Sequence, residues 1–350
     1  GLTIIAGILP MVPHPHWIFR GFEFGKFQFS ALGIVLLAIG FSWNGDPIVT
    51  ALQISLGILL IRDGLILIKY SPLYPLKKAE PTTTGDSPII RVLSANVLQF
   101  NTEYHRLINM IKSSAPDIVV TLESNSAWEE KLTEIEVDFP HSVKIPLENT
   151  YGMHLYSKLE ITEAQKHFFV ADDLPSIQAQ IQTSDGRSFT LFAVHPPPPS
   201  PSEEPTSEER DGDLLCIAKA LRKIDGPRVV VGDFNNVAWG RSSVLFRKTS
   251  ELIDARIGRG FISTFHARFL LLRVPIDLFF HSEDVIVADL KAMPNIGSDH
   301  FPLLAEFRLT DNTSAQEEEI QTLEADELEE VNSMIRDGKK AEGDREDFDS

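Results

Sequence analysis

Hydrophobic and polar positions fall into three regimes along the chain. The first is continuous. From Ser30 to Trp43 the sequence is nearly unbroken apolar, and Phe27 extends it toward spanning length. A second long stretch, Ile48 to Ile68, is interrupted only by Gln53, Arg62 and Asp63. Two such stretches in tandem, separated by the turn sequence Asn44-Gly45-Asp46-Pro47, predict membrane-spanning helices rather than core helices. Arg62 and Asp63 are expected to pair or to snorkel. Leu2 to Val12 is apolar but too short to span, and it reads as the remnant of a longer helix. The chain opens at Gly1 rather than methionine, so an upstream piece is expected. Trp17, Phe19, Phe22, Phe24, Phe27 and Phe29, with Arg20 and Lys26 among them, read as an interfacial connector.

After Tyr70 the pattern breaks. Pro72, Pro75, Pro81 and Pro88, two lysines and a Thr/Gly/Ser cluster make a linker. The next regime mixes periods of 2 and 3.6. Ile89 to Val97 reads as a strand, and Tyr104, Leu107, Ile108 and Ile111 form a helical stripe that ends before Pro116. Ile118 to Leu122 is a buried strand, and a short helix lies around Trp128 to Ile135. Strands are predicted over Tyr151 to Tyr156, Ile161 to Val170, Ile177 to Thr183 and Ser188 to Val194, the last two joined by the hairpin signal Asp185-Gly186. Pro196 to Pro205 cannot pair in a sheet and reads as a surface loop. Leu214 to Ile224 has helical spacing, Val229 to Val231 is a buried strand, and further strands fit Val274 to Phe280, Asp284 to Ala288 and Phe301 to Phe307. The pattern predicts an α/β layered sandwich with a mixed sheet system. The expected organisation is a membrane anchor over 1–70, a linker over 71–88, a catalytic domain over 89–309 and an acidic tail over 310–350. The tail has only a weak stripe at Ile320, Leu323, Leu328, Val331 and Ile335, so disorder or a single frayed helix is expected there.

Charge changes the picture of the partner. The net charge of −18 is uneven. From Asp311 onward 15 acidic and 4 basic residues give −11, which leaves −7 for everything before. A chain without a basic surplus is a poor non-specific nucleic-acid binder, although bound cations alter the local field. The single cysteine, Cys216, sits in a helical apolar pattern and excludes an intrachain disulfide.

Candidate chemistry gathers where strands end. Asn96 lies near the end of the first strand, Glu123 just after the second, and His195 directly after Val194. Asp233 and Asn235 follow Val229-Val230-Val231-Gly232 and, being two apart in extended backbone, are expected to project to one side. An Asx turn is the bland alternative for Gly232-Asp233-Phe234-Asn235. Asp277 lies in Pro275-Ile276-Asp277-Leu278, and Asp299-His300 precede the final strand. Strand ends in layered α/β folds converge on one rim. Carboxylates, amides and two histidines in one pocket suit hydrolysis at phosphorus. Each has a bland reading: Glu123 as a helix N-terminal acid, Asp277 as a partner of Arg273, His195 as the start of a loop. His154, on an alternating strand, reads as structural.

These stretches resemble the endonuclease/exonuclease/phosphatase superfamily, the metal-dependent hydrolases that include DNase I, the apurinic endonucleases, sphingomyelinases and inositol phosphatases. The resemblance rests on Ser94-Ala95-Asn96-Val97, Val120-Thr121-Leu122-Glu123, Tyr151 to Lys158, Ala193-Val194-His195-Pro196, Gly232-Asp233-Phe234-Asn235, Pro275-Ile276-Asp277 and Gly297 to Pro302, in family order over residues 89 to 309. With the anchor and the Tyr-Ser-Pro-Leu-Tyr-Pro exit, the chain looks like the bacterial membrane-bound branch. The resemblance implies a DNase I-like α/β sandwich preceded by transmembrane helices, and Mg²⁺ as cofactor with Mn²⁺ as substitute. It implies that Glu123 binds the metal assisted by Asn96, with Asp299 supporting the metal shell. Asp233 would orient or activate water, Asn235 would hold a phosphate oxygen, and His195 would stabilise phosphate charge. His300 would contact the phosphate or transfer a proton, with Asp277 fixing its ring. The division of acid and base between Asp233 and His300 depends on burial and neighbours and stays open. Many relatives carry His or Tyr where this chain has Leu278, which removes any expectation of a sugar or base contact there.

The function expected is a membrane-anchored, divalent-metal-dependent phosphodiesterase or phosphatase. A DNA or RNA nuclease is the alternative in the same family, and a non-catalytic binding module on the same fold the alternative outside it. The expected partners are the lipid bilayer and a phosphate ester drawn from lipid head groups, nucleotides or nucleic acid, and no protein partner is implied. The location expected is the bacterial inner membrane. Local lysine counting places the domain in the cytoplasm, whereas the three-span layout of similar proteins places it outside, and the extracytoplasmic side is the expectation adopted.

Overall fold

A computed structural model of the chain describes residues 1–43, 45–75, 87–201 and 203–341. Four helices come first: α1 (Leu2–Ile8), α2 (Trp17–Phe24), α3 (Lys26–Gly40) and α4 (Pro47–Leu67). Asp46 caps α4 by accepting from the backbone N–H groups of Ile48 and Val49, and Pro47 occupies the first turn, where its missing N–H costs nothing. With their flanking turns, α3 and α4 are long and apolar enough to cross a membrane, and little of either is buried against the rest of the protein. They pack on each other, and α1 packs on both. Arg62 does pair with Asp63, at 3.8 Å, but the shorter partner of Asp63 is Lys26 at 3.1 Å. Arg62 also donates to the carbonyl of Gly7, so each charged group on these helices has a polar partner within the helix group.

The rest of the chain begins with β1 (Ile90–Asn96), α5 (Tyr104–Ser114), β2 (Ile118–Leu122), α6 (Ser126–Leu132), β3 (His141–Ile145) and β4 (Met153–Ser157). Then come β5 (Glu160–Phe168), β6 (Pro175–Gln182), β7 (Ser188–Val194), α7 (Glu208–Leu221), β8 (Arg228–Asp233), α8 (Arg241–Ser250), β9 (Ile253–Asp254) and β10 (Asp277–His281). Last are β11 (Val285–Ala292), β12 (Leu303–Leu309), α9 (Ser314–Glu317) and α10 (Ala325–Gly338). The strands form two six-stranded sheets, β11-β12-β1-β2-β4-β3 and β5-β6-β7-β8-β10-β9. This is the two-sheet α/β sandwich of the DNase I-like fold.

Period-2 patterning builds the layers. Val229 and Val231 face the core between the sheets, with Leu191, Phe279, Val120 and Phe307. Val230 points the other way, among Phe192, Leu214, Ile217 and Phe246 under α7 and α8. On the other sheet Val92 faces inward, while Leu93 and Ala95 face Leu107, Ile111 and Trp128 of α5 and α6. Burying each large apolar side chain contributes about 1.5–3 kcal/mol. His154 is fully buried on β4 against Tyr156, a structural position as expected.

Several expectations change. β3 and α8 were not legible in the pattern. Pro196 to Pro205 is more than a surface loop, because Pro198, Pro199 and Ser200 wall a cleft. The connector helix α2 packs on the sandwich: Trp239 Nε1 donates to the Glu23 carbonyl at 2.8 Å, and Phe24 touches the apolar cluster under α7 and α8. Leu328, Val331 and Ile335 of the tail's weak stripe fall in α10, the single helix that was one of the two expectations, and it is docked on the sandwich. Val331 is fully buried beside Leu215 and Leu245, and Arg241 and Lys248 pair with Glu327. Residues 76–86 of the linker and 342–350 of the tail lie outside the described residues.

Candidate active site

Two parallel strand pairs, one in each sheet, carry the site. β1 runs parallel to β2 with Asn96 opposite Leu122, and β7 runs parallel to β8 with Val194 opposite Gly232. Their C-terminal ends therefore reach one rim, delivering Asn96, Glu123, His195 and Asp233. β10 is antiparallel to β8 and sets Asp277 directly opposite Asp233. His300 enters just ahead of β12, the antiparallel partner of β1. Gly232 permits the close approach of β7 and β8: its φ is +152°, and a Cβ there would sit 2.0 Å from the Val194 carbonyl oxygen.

Asp233 is the centre. Its Oδ2 accepts from Asn96 Nδ2 at 3.1 Å and lies 3.5 Å from His300 Nε2 and 3.8 Å from His195 Nε2. Its Oδ1 accepts from the backbone N–H of Asn235 at 2.8 Å. That last bond is an Asx turn, with Asn235 at φ +46°. Extended alternation is thus not what puts Asp233 and Asn235 on one side. The turn does it, and both residues line the cleft. Asn235 Nδ2 gives one hydrogen to the Pro196 carbonyl, and Arg210 grips the Asn235 carbonyl from below. Asn96 Nδ2 also donates to Glu123 Oε1 at 2.8 Å, and the Gln99 backbone N–H donates to Glu123 Oε2. His300 Nδ1 lies 2.9 Å from Asp277 Oδ2, so Asp277 pairs with His300 rather than with Arg273.

Burial and charge split the titrations. Burial opposes a charge on His300, but Asp277 and then Asp233 outweigh it and lift its pKa to about 10. Burial, helped by the like charge of Asp277 and opposed by His300, pushes Asp233 up to about 7. Burial, with His300 as a like charge, drops His195 to about 3. His195 is therefore a neutral donor or acceptor and brings no charge of its own. Its Nδ1 has no partner among the described residues, and Tyr151 packs against its ring. Burial raises Glu123, partly offset by its bonds from Asn96 and Gln99 and by the charge of His300.

The donor set fits a hard divalent cation. Glu123, Asp233 and Asp299 bring carboxylates to a cleft of about 490 Å³ whose lining, among the described residues, contains neither lysine nor arginine. Oxygen donors of this kind are what Mg²⁺ or Mn²⁺ prefer. Asn96 acts here through Glu123, since its amide hydrogens point at both carboxylates. Asp233, Asp277 and His300 also converge, with one ligand atom each within 4.8 Å of the others. Two of those atoms are bonded to each other, and an imidazolium repels a cation. The Glu123 side is the better seat.

Residues 93–300 match the model of the Endonuclease/Exonuclease/phosphatase family. The chain belongs to that family. Among solved structures of the family's fold, D. rerio TDP2 complexed with single strand DNA product is 16% identical, with a TM-score of 0.54 over 63% of this chain and 99% of that one. The human Nocturnin catalytic domain with bound sulfate anion is 17% identical, TM-score 0.52, covering 64% and 96%. The endonuclease/exonuclease/phosphatase from Bacteroides vulgatus is 20% identical, TM-score 0.51, covering 63% and 99%. At these identities the likeness is one of fold. No curated protein sequence matches.

In this member of the endonuclease/exonuclease/phosphatase family, the structure brings together all eight residues expected at the site. Glu123, His195, Asp233, Asn235, Asp299 and His300 line the cleft, while Asn96 and Asp277 stand immediately behind. Sequence reasoning missed Gln99, which ties Glu123 to the loop at Thr150, and Phe265, whose ring packs on His300 at 4.9 Å. Gly21 and Phe24 of α2, also missed, form part of the wall. Their only signal was aromatic spacing, which reads equally as a membrane interface.

Proposed function

We propose that this protein is a membrane-anchored, divalent-metal-dependent hydrolase that cleaves phosphate esters by attack of water at phosphorus. The observation that carries the reading is the convergence in one cleft of the Glu123, Asp233 and Asp299 carboxylates, with Asp233 Oδ2 3.5 Å from His300 Nε2 and no lysine or arginine lining it among the described residues. Glu123 and Asp299 would hold a Mg²⁺ or Mn²⁺ ion, with Asn96 fixing the Glu123 carboxylate. Such an ion supplies Lewis acidity and charge for the phosphoryl oxygens. The open division of roles then favours Asp233 as the group that orients water and accepts its proton, since a carboxylate near 7 is available as a base at neutral pH. His300, cationic and aimed by Asp277, stabilises charge on the phosphoryl group or protonates the leaving oxygen. The neutral His195 and the second amide hydrogen of Asn235 donate to phosphoryl oxygens.

The apolar α3 and α4 support attachment to a membrane, which we place as a bacterial inner membrane with the sandwich outside the cytoplasm. Nucleic acid is the second reading, favoured by the DNA product bound to the similar D. rerio TDP2. The acidic cleft and the net charge of −18 weigh against it. The test is a metal-dependent screen of the purified chain on bis-para-nitrophenyl phosphate, phospholipids, inositol phosphates and nucleic acid. Activity is expected to vanish in chelator, and Glu123→Ala to raise the metal concentration for half activity at least tenfold (~1.4 kcal/mol or more). Full turnover in excess chelator would overturn the metal assignment.

A further inference from the structure

Phe269, Leu270, Leu271 and Leu272 are four consecutive large apolar side chains exposed by 57%, 71%, 81% and 60%, whereas the other exposed large apolar residues of the sandwich, such as Phe100 and Val137, do not form such a run. Arg268 and Arg273 bracket them. The Arg273 guanidinium is turned inward, onto the Ala267 carbonyl and the Phe301 ring, whereas Arg268 is exposed, so the segment offers apolar chains for hydrocarbon and one guanidinium at its edge for phosphates.

Where this segment stands decides what covers it. Arg273 accepts from Gln28 Nε2 through its carbonyl at 2.9 Å, and the Phe261 ring meets Phe27 at 4.8 Å. Gln28 and Phe27 lie in the first turn of α3, where that apolar helix begins. The Gly258 N–H donates to the Lys69 carbonyl at 2.8 Å, at the exit of α4. The loop from Gly258 to Arg273 is therefore pinned to the ends of both apolar helices, level with the boundary of whatever bilayer they cross.

The same loop walls the active site. Phe265 packs on His300 and lines the cleft, and the Ala267 N–H donates to the Asp299 carbonyl. Gly21 and Phe24 of α2, one turn ahead of α3, line it too. The cleft mouth is thus framed by two segments anchored at the helix ends. From this geometry we infer that the substrate is a phosphodiester of a membrane lipid, taken from the bilayer that holds the helices, with Phe269–Leu272 dipping into that leaflet. In the step, the water oxygen forms a bond to phosphorus, the bond from phosphorus to one ester oxygen breaks with its electron pair, and that oxygen takes the proton. The products are an alcohol and a phosphomonoester. This rests on the phosphoesterase reading above, and the acidic cleft suits a single diester better than a polyanion.

The test compares two substrates for one enzyme. The full chain, reconstituted in vesicles of phosphatidylethanolamine and phosphatidylglycerol with Mg²⁺ or Mn²⁺, is assayed for phosphate-ester release from the lipids and from bis-para-nitrophenyl phosphate in the water phase. A variant with Leu270→Ser, Leu271→Ser and Leu272→Ser, none of which lines the cleft, is expected to lose about tenfold or more on the lipids while staying within about twofold on the soluble diester. Equal loss on both substrates, or no loss on either, overturns the inference. Wild-type turnover of the soluble diester without any lipid hydrolysis overturns the lipid substrate and leaves the phosphoesterase reading standing, whereas no turnover of either ends both. Independently, Leu271→Trp is expected to add tryptophan emission that brominated lipid quenches. Unquenched emission would show that the segment stays in water.

Discussion

His300 shows how much one contact decides. Its Nδ1 bond to Asp277 and the nearby Asp233 hold it protonated to about pH 10 despite burial. Below about pH 6.5 the ring is protonated in folded and unfolded chains alike, and the pairing contributes in full. Between about 6.5 and 10 only the folded chain keeps the proton, so stability falls as pH rises across that window. In metal-free protein, imidazole NMR is expected to show His300 protonated beyond pH 8 and His195 neutral down to about pH 4. Asp277→Asn should move the His300 titration down toward 6.5 and flatten the alkaline loss of stability. An unchanged titration in that variant would remove Asp277 as its cause. For turnover, Asp233→Asn and His300→Ala are each expected to lower kcat by about 10²-fold or more. Asp233→Asn should change the denaturation midpoint of the metal-free protein little, because the burial cost it relieves offsets the lost pairing with His300. Near-normal kcat in both variants would break the shared-site reading.

Among elements, α10 was read least well from sequence. Its stripe is weak because glutamates surround it, and charge density of that kind reads as solvated chain. Its partners, Leu215 on α7 and Leu245 on α8, lie far away in sequence, and Arg241 and Lys248 that neutralise Glu327 lie on α8. Docking is a tertiary event, since a helix of this length is marginal alone. Val331→Asp would place a charge at a fully buried position and is expected to lower unfolding stability by about 3 kcal/mol. A change near zero would mean that α10 is not docked in solution. β5 through β8 were legible because Asp185-Gly186 and period-2 runs carry local signals. β3 was not, since only Val143 and Ile145 of His141–Ile145 are apolar, too short an alternation to stand out between Pro140 and Pro146.

For the whole molecule, the position of the sandwich relative to the bilayer tests the three-span expectation. Lys69 and Lys26 lie at the sandwich end of the helix pair, yet Lys26 is neutralised by Asp63, so a count of local charges overstates what that end presents. Alkaline phosphatase fused after Thr310 is expected to be active and a cytoplasmic fluorescent reporter dark. The reverse pattern would favour the lysine count. The sequence alone determined the two apolar helices, most strands, and the eight candidate residues that the structure gathers at one cleft, because strand-end motifs and hydrophobic period are local properties of the chain. The tertiary structure alone decided that an Asx turn rather than extended alternation sets Asn235 beside Asp233, that α2 and the Phe261–Arg273 loop frame the cleft, and that burial and neighbouring charge shift Asp233 up and His195 down. The last two depend on distances between segments remote in sequence and on how much water reaches them, and only packing sets either quantity.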